Sequence, residues 1–264
     1  MRVPAGLAEA RWFGGPMAKN STWLEYEWRI DGKEALFGVE LALYRSAPDP
    51  KQPILCYFCC EAPSGDLTPA DIKRIEGLAS KCVHKLGRPA AGFVQTANAR
   101  QYYFYVPDKE QYDILKAIAE KEKKLACKAA GKREPDWTTY FKLLYPDEAK
   151  YQTVRSREVI AKYRENGDNL EAARRLNLHV FFRTEQHRLM YEEAARLAGY
   201  AIGTPQERSE LELPYGATLH RISTLKKQDV DSVTIRAIRI AQRMEGRLAY
   251  WDCAIVPKNI NKRY

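Results

Sequence analysis

The sequence predicts an α+β chain with two antiparallel-sheet domains, each with the element order βαββαβ, and an extra hairpin at the N-terminus of the first. Two observations carry this prediction. Strand and helix patterns follow each other twice in the same order along the 264 residues. A Gly167-Asp168-Asn169 turn, which disfavours a helix, precedes an apolar strand pattern near the middle of the chain. We therefore expect a loose arm or a mis-annotated start at residues 1–20, an N-terminal domain at 21–147 and a C-terminal domain at 148–264.

The first half begins with a predicted hairpin, because Trp23–Trp28 and Ala35–Leu41 have strand patterns and flank an Asp31-Gly32 turn. The βαββαβ order then starts at a continuous apolar run, Ile54–Cys60. Its other predicted elements are a helix opened by Thr68-Pro69, strands at Gly92–Thr96 and Gln101–Val106, a helix at Glu110–Leu125, and a last strand at Trp137–Tyr145.

The second half repeats this order after a predicted connecting helix at Asp147–Glu165. Its predicted elements are a strand at Leu178–Phe182, a helix at Glu185–Leu197, strands at Tyr200–Glu207 and Thr218–Leu225 around Pro214-Tyr215-Gly216, a helix capped by Asp229, and a strand at Leu248–Val256. The repeated order is the ferredoxin-like pattern, in which two helices pack on one face of an antiparallel sheet.

Composition limits the classes of function. The net charge of +9 permits a polyanionic partner and also fits an ordinary basic protein. The sequence has no apolar run near the roughly 18 residues of a membrane helix, and its first twenty residues lack the apolar core of a secretory signal. We therefore expect a cytoplasmic protein without membrane association, and we expect its six cysteines to be reduced.

Cys56 and Cys59 have the C-x-x-C spacing that redox pairs and zinc ligands use. They lie within an apolar strand pattern, however, where residues three apart point to opposite faces of a sheet. We interpret them as core cysteines, with metal or redox use as the alternative. We predict no catalytic residue, cofactor or metal site, and we keep an uncharacterised enzyme that uses Cys59, Cys60 or His84 as a third functional hypothesis.

The aromatic strand Arg100–Val106 offers a possible RNA site. RNA-recognition domains with the same element order stack bases on exposed rings of their third strand, and Tyr103 and Tyr105 occupy that strand here. Tyrosine is also a good strand former that fills a sheet face. We favour packing and retain base stacking on Tyr103 and Tyr105 as the alternative.

Four arginines near the C-terminus recur at steps of three, four and four, as expected for one face of the last predicted helix. They are Arg236, Arg239, Arg243 and Arg247. Such a ridge can follow an acidic peptide or a phosphate backbone, although exposed helix faces are usually charged for solubility alone. We name the four as candidate partner-binding residues.

From Val159 to Val256 the chain resembles the regulator of ribonuclease E activity B family. The resemblance rests on Gly167, Asp168, Asn169, Leu170, Arg174, Phe181, Phe182, Trp251 and Asp252. It implies a ferredoxin-like domain that binds the scaffold region of ribonuclease E and alters RNA decay without catalysis. It also makes Asp168, Asn169 and Arg174 candidate partner-binding residues.

Residues Thr22 to Tyr145 resemble a family of unknown function that commonly precedes this domain in bacterial proteins. That likeness rests on Trp23–Trp28, on Arg100–Val106 with Pro107-Asp108 after it, and on Tyr145-Pro146-Asp147.

The C-terminal half departs from the regulator pattern in sequence and in charge. Ala173 and Arg175 replace prolines, and Asn177-Leu178 replaces Asp-His. Residues 151–264 hold 20 Lys and Arg against 14 Asp and Glu, whereas members of the family tend to be acidic. We expect a bacterial, non-catalytic regulatory or adaptor protein that binds a protein partner, with ribonuclease E or a related scaffold as the candidate. An RNA-binding module, with nucleic acid as the partner, is the alternative.

Overall fold

The computed structural model describes residues 23–208 and 212–258. They form two compact units that divide between Pro146 and Asp147. Each unit has one antiparallel sheet, of six strands in the first unit and five in the second. The predicted α+β class with antiparallel sheets is therefore confirmed, while the arm expected at residues 1–20 lies outside the described residues.

The first unit places its hairpin at the edge of the sheet. Its strands lie in the order β1-β2-β4-β5-β3-β6. In chain order its elements are β1 (Trp23–Ile30), β2 (Lys33–Glu40), β3 (Ile54–Glu61), α1 (Pro69–Leu86), β4 (Gly92–Gln95), β5 (Ala99–Val106), α2 (Lys109–Glu120) and β6 (Ala126–Arg133). Two short helical turns, Leu41–Arg45 and Tyr140–Leu144, complete it.

Local sequence determines where these elements begin and end. Asp31 and Gly32 both have positive φ, as the tight turn between β1 and β2 requires. The Thr68 hydroxyl accepts the Asp71 N–H, and the Asp71 carboxylate accepts the Thr68 N–H, which forms a capping box at the start of α1. Gly87 ends α1 in the left-handed conformation.

The last strand of the first unit is not where the sequence predicts it. Residues 126–133 form β6 and pair with β3, whereas the predicted strand Trp137–Tyr145 contains the helical turn Tyr140–Leu144. The β6 sequence mixes small and basic residues because it is an exposed edge strand, so it lacks an apolar run. The Glu134 carboxylate accepts the Thr139 N–H at 2.7 Å and helps to turn the chain back.

Both faces of the first sheet carry buried side chains. On one face, Tyr102 and Phe104 of β5 join a hydrophobic core with residues of α1 and α2. On the other face, the Trp137 ring stacks on the Tyr105 ring with centroids 3.9 Å apart. The Tyr140 hydroxyl donates to the Glu40 carbonyl at 2.8 Å. The segment that the sequence predicts as a strand thus covers the second face.

A disulfide joins Cys60 of β3 to Cys127 of β6, which are directly opposite each other in the ladder. The expectation of six reduced cysteines is therefore wrong for this pair. The reason is register, because the unpredicted strand β6 brings a cysteine 67 positions away against Cys60. Cys56 is buried in the core and Cys59 lies on the opposite face, as strand alternation predicts.

The second unit has the strand order β11-β7-β10-β8, with β9 also paired to β10. Its elements are α3 (Glu148–Glu165), β7 (Arg174–Phe182), α4 (Glu185–Leu197), β8 (Ala201–Ile202), β9 (Gln206–Glu207), β10 (Tyr215–Ser223), α5 (Lys227–Gln242) and β11 (Arg247–Cys253). In the described residues, no helix is long and apolar enough to cross a membrane.

Two predicted details of the second unit differ from the structure. Tyr215 and Gly216 belong to β10 rather than to a turn, because they pair with β7 on one side and with β9 on the other. Asp229 lies in the first turn of α5 rather than at its cap. Its carboxylate accepts the Thr224 hydroxyl at 2.5 Å and so supports the start of the helix.

Candidate functional site

A buried ion pair holds the turn between α3 and β7. The Asp168 side chain is fully buried, and Nη1 of Arg174 lies 2.5 Å from its Oδ2. The same oxygen accepts the Val256 N–H at 2.8 Å. Arg174 also donates to the carbonyls of Asn169 and Ala254. This pair therefore ties the turn to the segment that follows β11.

Burial determines what these candidate partner-binding residues do. Asp168 and Arg174 fix the conformation of the turn, because neither presents its charge to solvent. Asn169 is half-buried, and its side-chain oxygen accepts the Glu171 N–H at 3.2 Å. Of the three, only Asn169 is partly accessible to a partner.

The four arginines predicted to line one helix belong to two elements. Arg236 and Arg239 are exposed on α5, and Arg243 caps its C-terminus. Arg247 is the first residue of β11, so its predicted place on the helix is wrong. The reason is that α5 ends at Gln242 and the chain turns back into the sheet. Arg236, Arg239 and Arg243 remain an exposed cationic group, which we call the α5 arginines.

Tyr103 and Tyr105 are buried in the first sheet, with 8% and 2% of their surfaces exposed. The Tyr105 hydroxyl donates to Glu134 at 2.6 Å, and its ring lies against Trp137. Tyr103 packs beside Tyr57. Base stacking needs an exposed ring face, so this geometry favours the packing interpretation of both tyrosines.

The residues of the enzyme hypothesis do not converge on one site. Cys60 has no free thiol because it is bonded to Cys127. Burial raises the pKa of Cys59, which keeps it a thiol at neutral pH. His84 lies exposed in the last turn of α1, on the face of the sheet opposite to Cys59. Within the described ranges, no group of three His, Cys, Asp or Glu side chains could hold a metal ion.

In the described part of the second unit, one face of the sheet is covered by helices and the other is not. The helices attach to the first face, where Tyr191 of α4 packs on Phe182 and Trp251 donates to Ser156 of α3. Side chains alternate along each strand, so the intervening residues lie on the other face. We call it the open face. It comprises Arg175, Asn177, His179, Phe181, Gln206, Arg208, Thr218, His220, Ile222, Arg247, Tyr250 and Asp252.

Six of these side chains form one hydrogen-bonded series across the sheet, which we call the polar chain. Its links are Thr218 to Gln206 at 3.1 Å, Gln206 to His179 at 3.0 Å, His179 to Asp252 at 3.0 Å, Asp252 to Asn177 at 2.7 Å and Asn177 to His220 at 2.9 Å. The Tyr250 ring stacks on the His179 ring with centroids 4.3 Å apart. Strand pairing places Thr218 opposite His179, and it places both Asp252 and His220 opposite Asn177.

The polar chain occupies both nitrogens of His179. An amide nitrogen only donates, so Nδ1 of His179 accepts from Gln206 and its Nε2–H donates to Asp252. No nitrogen is left to act as a general base in this arrangement. Burial, followed by the positive charge of Arg175, lowers the pKa of His220 and favours its neutral form. The series therefore fixes the side chains on this surface of the sheet and leaves His179 without a free nitrogen.

Three arginines surround the polar chain. Arg175 lies opposite Ile222 at one end, and the Arg208 guanidinium lies 5.3 Å above the Phe181 ring at the other end. Arg247 is opposite Phe181 in the β7–β11 ladder and also acts electrostatically on Glu148. None of these arginines has a carboxylate within ion-pair distance in the described part of the chain. The open face is therefore basic.

Comparison with protein families matches each half of the chain. The family described as Regulator of ribonuclease activity B matches residues 154–253. A family of unknown function, DUF695, matches residues 21–145. Both predicted resemblances are confirmed. A search of curated proteins found no match.

The part similar to the regulator of ribonuclease activity contains the buried Asp168–Arg174 pair and the whole open face. Sequence analysis did not identify that face as a site. One signal was available, since Arg175, Asn177 and His179 alternate with Leu176, Leu178 and Val180. That period of two marks a strand with one apolar and one polar face.

Proposed function

We propose that the chain is a non-catalytic regulatory protein whose second unit binds another protein and thereby modulates RNA decay. The match of residues 154–253 to the regulator of ribonuclease activity family carries this proposal. That family suggests ribonuclease E, or a related scaffold protein, as the partner. The open face is the candidate contact surface, because it has an ordered set of polar side chains and no described helix of its own unit lies on it.

Two features of the site support a role without catalysis. Both nitrogens of His179 are engaged, and a general base needs one of them free. The described residues also place no Ser or Cys nucleophile in the polar chain, and its one hydroxyl, that of Thr218, accepts from Gln206.

The finer fold assignment belongs to the same proposal. In both units the last strand of the βαββαβ series lies beside the first, followed by the third and the second, which supports the ferredoxin-like assignment. We also propose a cytoplasmic, bacterial setting.

The test adds the purified chain to a bacterial ribonuclease E and follows cleavage of a labelled RNA. We expect the cleavage rate to fall as the concentration of the chain rises, and we expect the chain alone to leave the RNA intact. The matched control is a ribonuclease E that lacks its scaffold region, whose cleavage rate should not change. RNA cleavage by the chain alone would contradict the non-catalytic assignment. If the cleavage rate does not change and the two proteins do not co-sediment, ribonuclease E is not the partner.

A further inference from the structure

The open face has the length of a short extended peptide. Arg175 and Phe181 are six positions apart on β7, which corresponds to roughly 20 Å along the strand. Arg175 stands at one end of this length, and Arg208 and Arg247 stand at the other. A segment of about six extended residues would span the distance between them.

The charge of the face selects the kind of partner. Asp252 is the one carboxylate among the residues that define the open face, and it already accepts from Asn177 and His179. The arginines are not neutralised by any described carboxylate at ion-pair distance. Potentials across an interface are generally complementary, and juxtaposed like charges are unfavourable. A partner with carboxylates therefore fits this surface, and a basic partner does not.

The aromatic side chains favour a peptide over single-stranded RNA. Sequence-tolerant RNA binding uses exposed rings on which successive bases stack. Here the Tyr250 ring is 38% exposed, and His179 occupies one side of it. Phe181 is 5% exposed and lies beneath Arg208. One half-exposed ring, with Ile222 exposed at the far end of the face, suits contact with an apolar side chain.

The polar chain makes the surface ready for binding. Its side chains are already held by one another, from Thr218 to His220. These six side chains then need little further ordering when a partner arrives, which lowers their share of the entropic cost of association.

We propose that the open face binds an extended acidic segment of the partner protein. Its carboxylates would pair with Arg175 at one end and with Arg208 and Arg247 at the other, and an apolar side chain between them would lie against Tyr250. This inference rests on the proposed function, which makes the partner a protein. It goes further by giving that partner an acidic segment and a place on the sheet.

The experiment measures binding of three labelled probes to the full chain by fluorescence anisotropy. The first is a peptide of about eight residues, rich in Asp and Glu, with a central Leu. The second has the same sequence with Asn and Gln in place of the acids, and the third is a short oligouridine. We expect the acidic peptide to bind most tightly, with an affinity that falls as salt is added.

Two charge-matched double variants locate the site. Arg175→Glu with Arg208→Glu reverses the charge on the open face, and Arg236→Glu with Arg239→Glu makes the same change among the α5 arginines. We expect the first to weaken binding of the acidic peptide at least ~10-fold and the second less than ~3-fold, because distant surface charges are screened. Melting temperatures check that both variants fold. If the first does not, Arg175→Gln with Arg208→Gln should still weaken binding.

Several results would overturn the inference. These are equal losses in the two double variants, tighter binding of oligouridine, equal binding of the neutral peptide, and no binding of the acidic peptide at low salt. The outcome is separable from that of the proposed function. A chain that slows ribonuclease E but does not bind the acidic peptide keeps the regulatory role and loses this inference. A chain that binds the acidic peptide on the open face but does not slow ribonuclease E keeps this inference and loses ribonuclease E as the partner.

Discussion

The two sheets share a strand order but differ in what covers their second faces. In the first unit, β4-β5-β3-β6 has the second face buried beneath Trp137 and the turn Tyr140–Leu144. In the second unit, β8-β10-β7-β11 carries the polar chain on the corresponding face. The same strand order therefore supports a closed aromatic face in one case and an open polar face in the other.

The difference shows that an aromatic strand is not a binding surface by itself. Tyr105 occupies the strand position at which related folds stack bases, but the segment after β6 returns over it. Neither His179 nor Tyr250 was predicted from the sequence to be a site residue, but both lie on the face that no described helix of their unit covers. The path of the chain after the last strand determines the role of a sheet face as much as the strand sequence does.

The largest expected effect tests how much the stability of the first unit depends on Trp137, which covers the second face of its sheet. Trp137→Ala should lower the free energy of unfolding of the first unit by about 3 to 5 kcal/mol, because it removes a ring that is 1% exposed and stacked on Tyr105. Urea unfolding with hydrogen exchange of the β5 amides measures the loss.

Its counterpart on the second sheet is Tyr250→Ala. The half-exposed ring of Tyr250 should contribute about 1 kcal/mol or less to the stability of its unit. Comparable losses in the two variants would show that the open face is as much a core as the closed one, and would remove the basis of the comparison.

A second prediction concerns the buried ion pair that connects α3, β7 and the segment after β11. Arg174→Ala should destabilise the second unit by about 3 to 5 kcal/mol, since it leaves the Asp168 carboxylate buried without its cation. Hydrogen exchange of the β7 amides reports the change. The adjacent Arg175→Ala, at an exposed position, should cost less than about 1 kcal/mol. Similar exchange rates in both variants would mean that the pair does not hold the turn.

The third prediction tests a covalent link found only in the first of the two units, within the described residues. Replacing both Cys60 and Cys127 by alanine should lower the unfolding free energy of the first unit by about 2 to 4 kcal/mol, because the disulfide closes a loop of 67 positions. Reduction with dithiothreitol should give a similar loss. Cys59→Ala is the control, since Cys59 is not in the bond. A lower unfolding free energy of the second unit would contradict the expectation that the disulfide stabilises only the first unit.

Sequence reasoning located the elements whose signals are local. The capping box at Thr68, the hairpin turn at Asp31-Gly32 and the helix Glu185–Leu197 all depend on residues close together in the chain. It failed where distant residues decide the structure. β6 is a strand because β3 offers it an edge, and its disulfide depends on that register.

The candidate site was only partly predictable for the same reason. The sequence predicted Asp168 and Arg174 as partner-binding residues, but their burial depends on contacts with Val256 and Ala254, which lie 88 and 80 positions away. The polar chain joins β7, β9, β10 and β11, and no local pattern contains residues from all four strands.

The smallest expected effect is a pH dependence of stability that only the second unit should show. Burial, the positive charge of Arg175 and the neighbouring His179 ring lower the pKa of His220, and the Asp252 carboxylate opposes this shift. The unfolded chain then takes up this proton more readily than the folded one. The contribution of neutral His220 to stability is present above the ordinary histidine pKa of about 6.5 and is lost as the pH falls through the folded value.

We therefore expect His220→Gln to flatten the loss of stability of the second unit between about pH 7 and pH 5, by less than about 1 kcal/mol. Hydrogen exchange of the β7 amides, corrected for the intrinsic effect of pH, measures it in both proteins. His84→Gln, at an exposed position of the first unit, is the control and should leave the pH dependence of the second unit unchanged. A steeper loss in His220→Gln would mean that the folded protein binds this proton more tightly than the unfolded chain, which contradicts a lowered pKa on the open face.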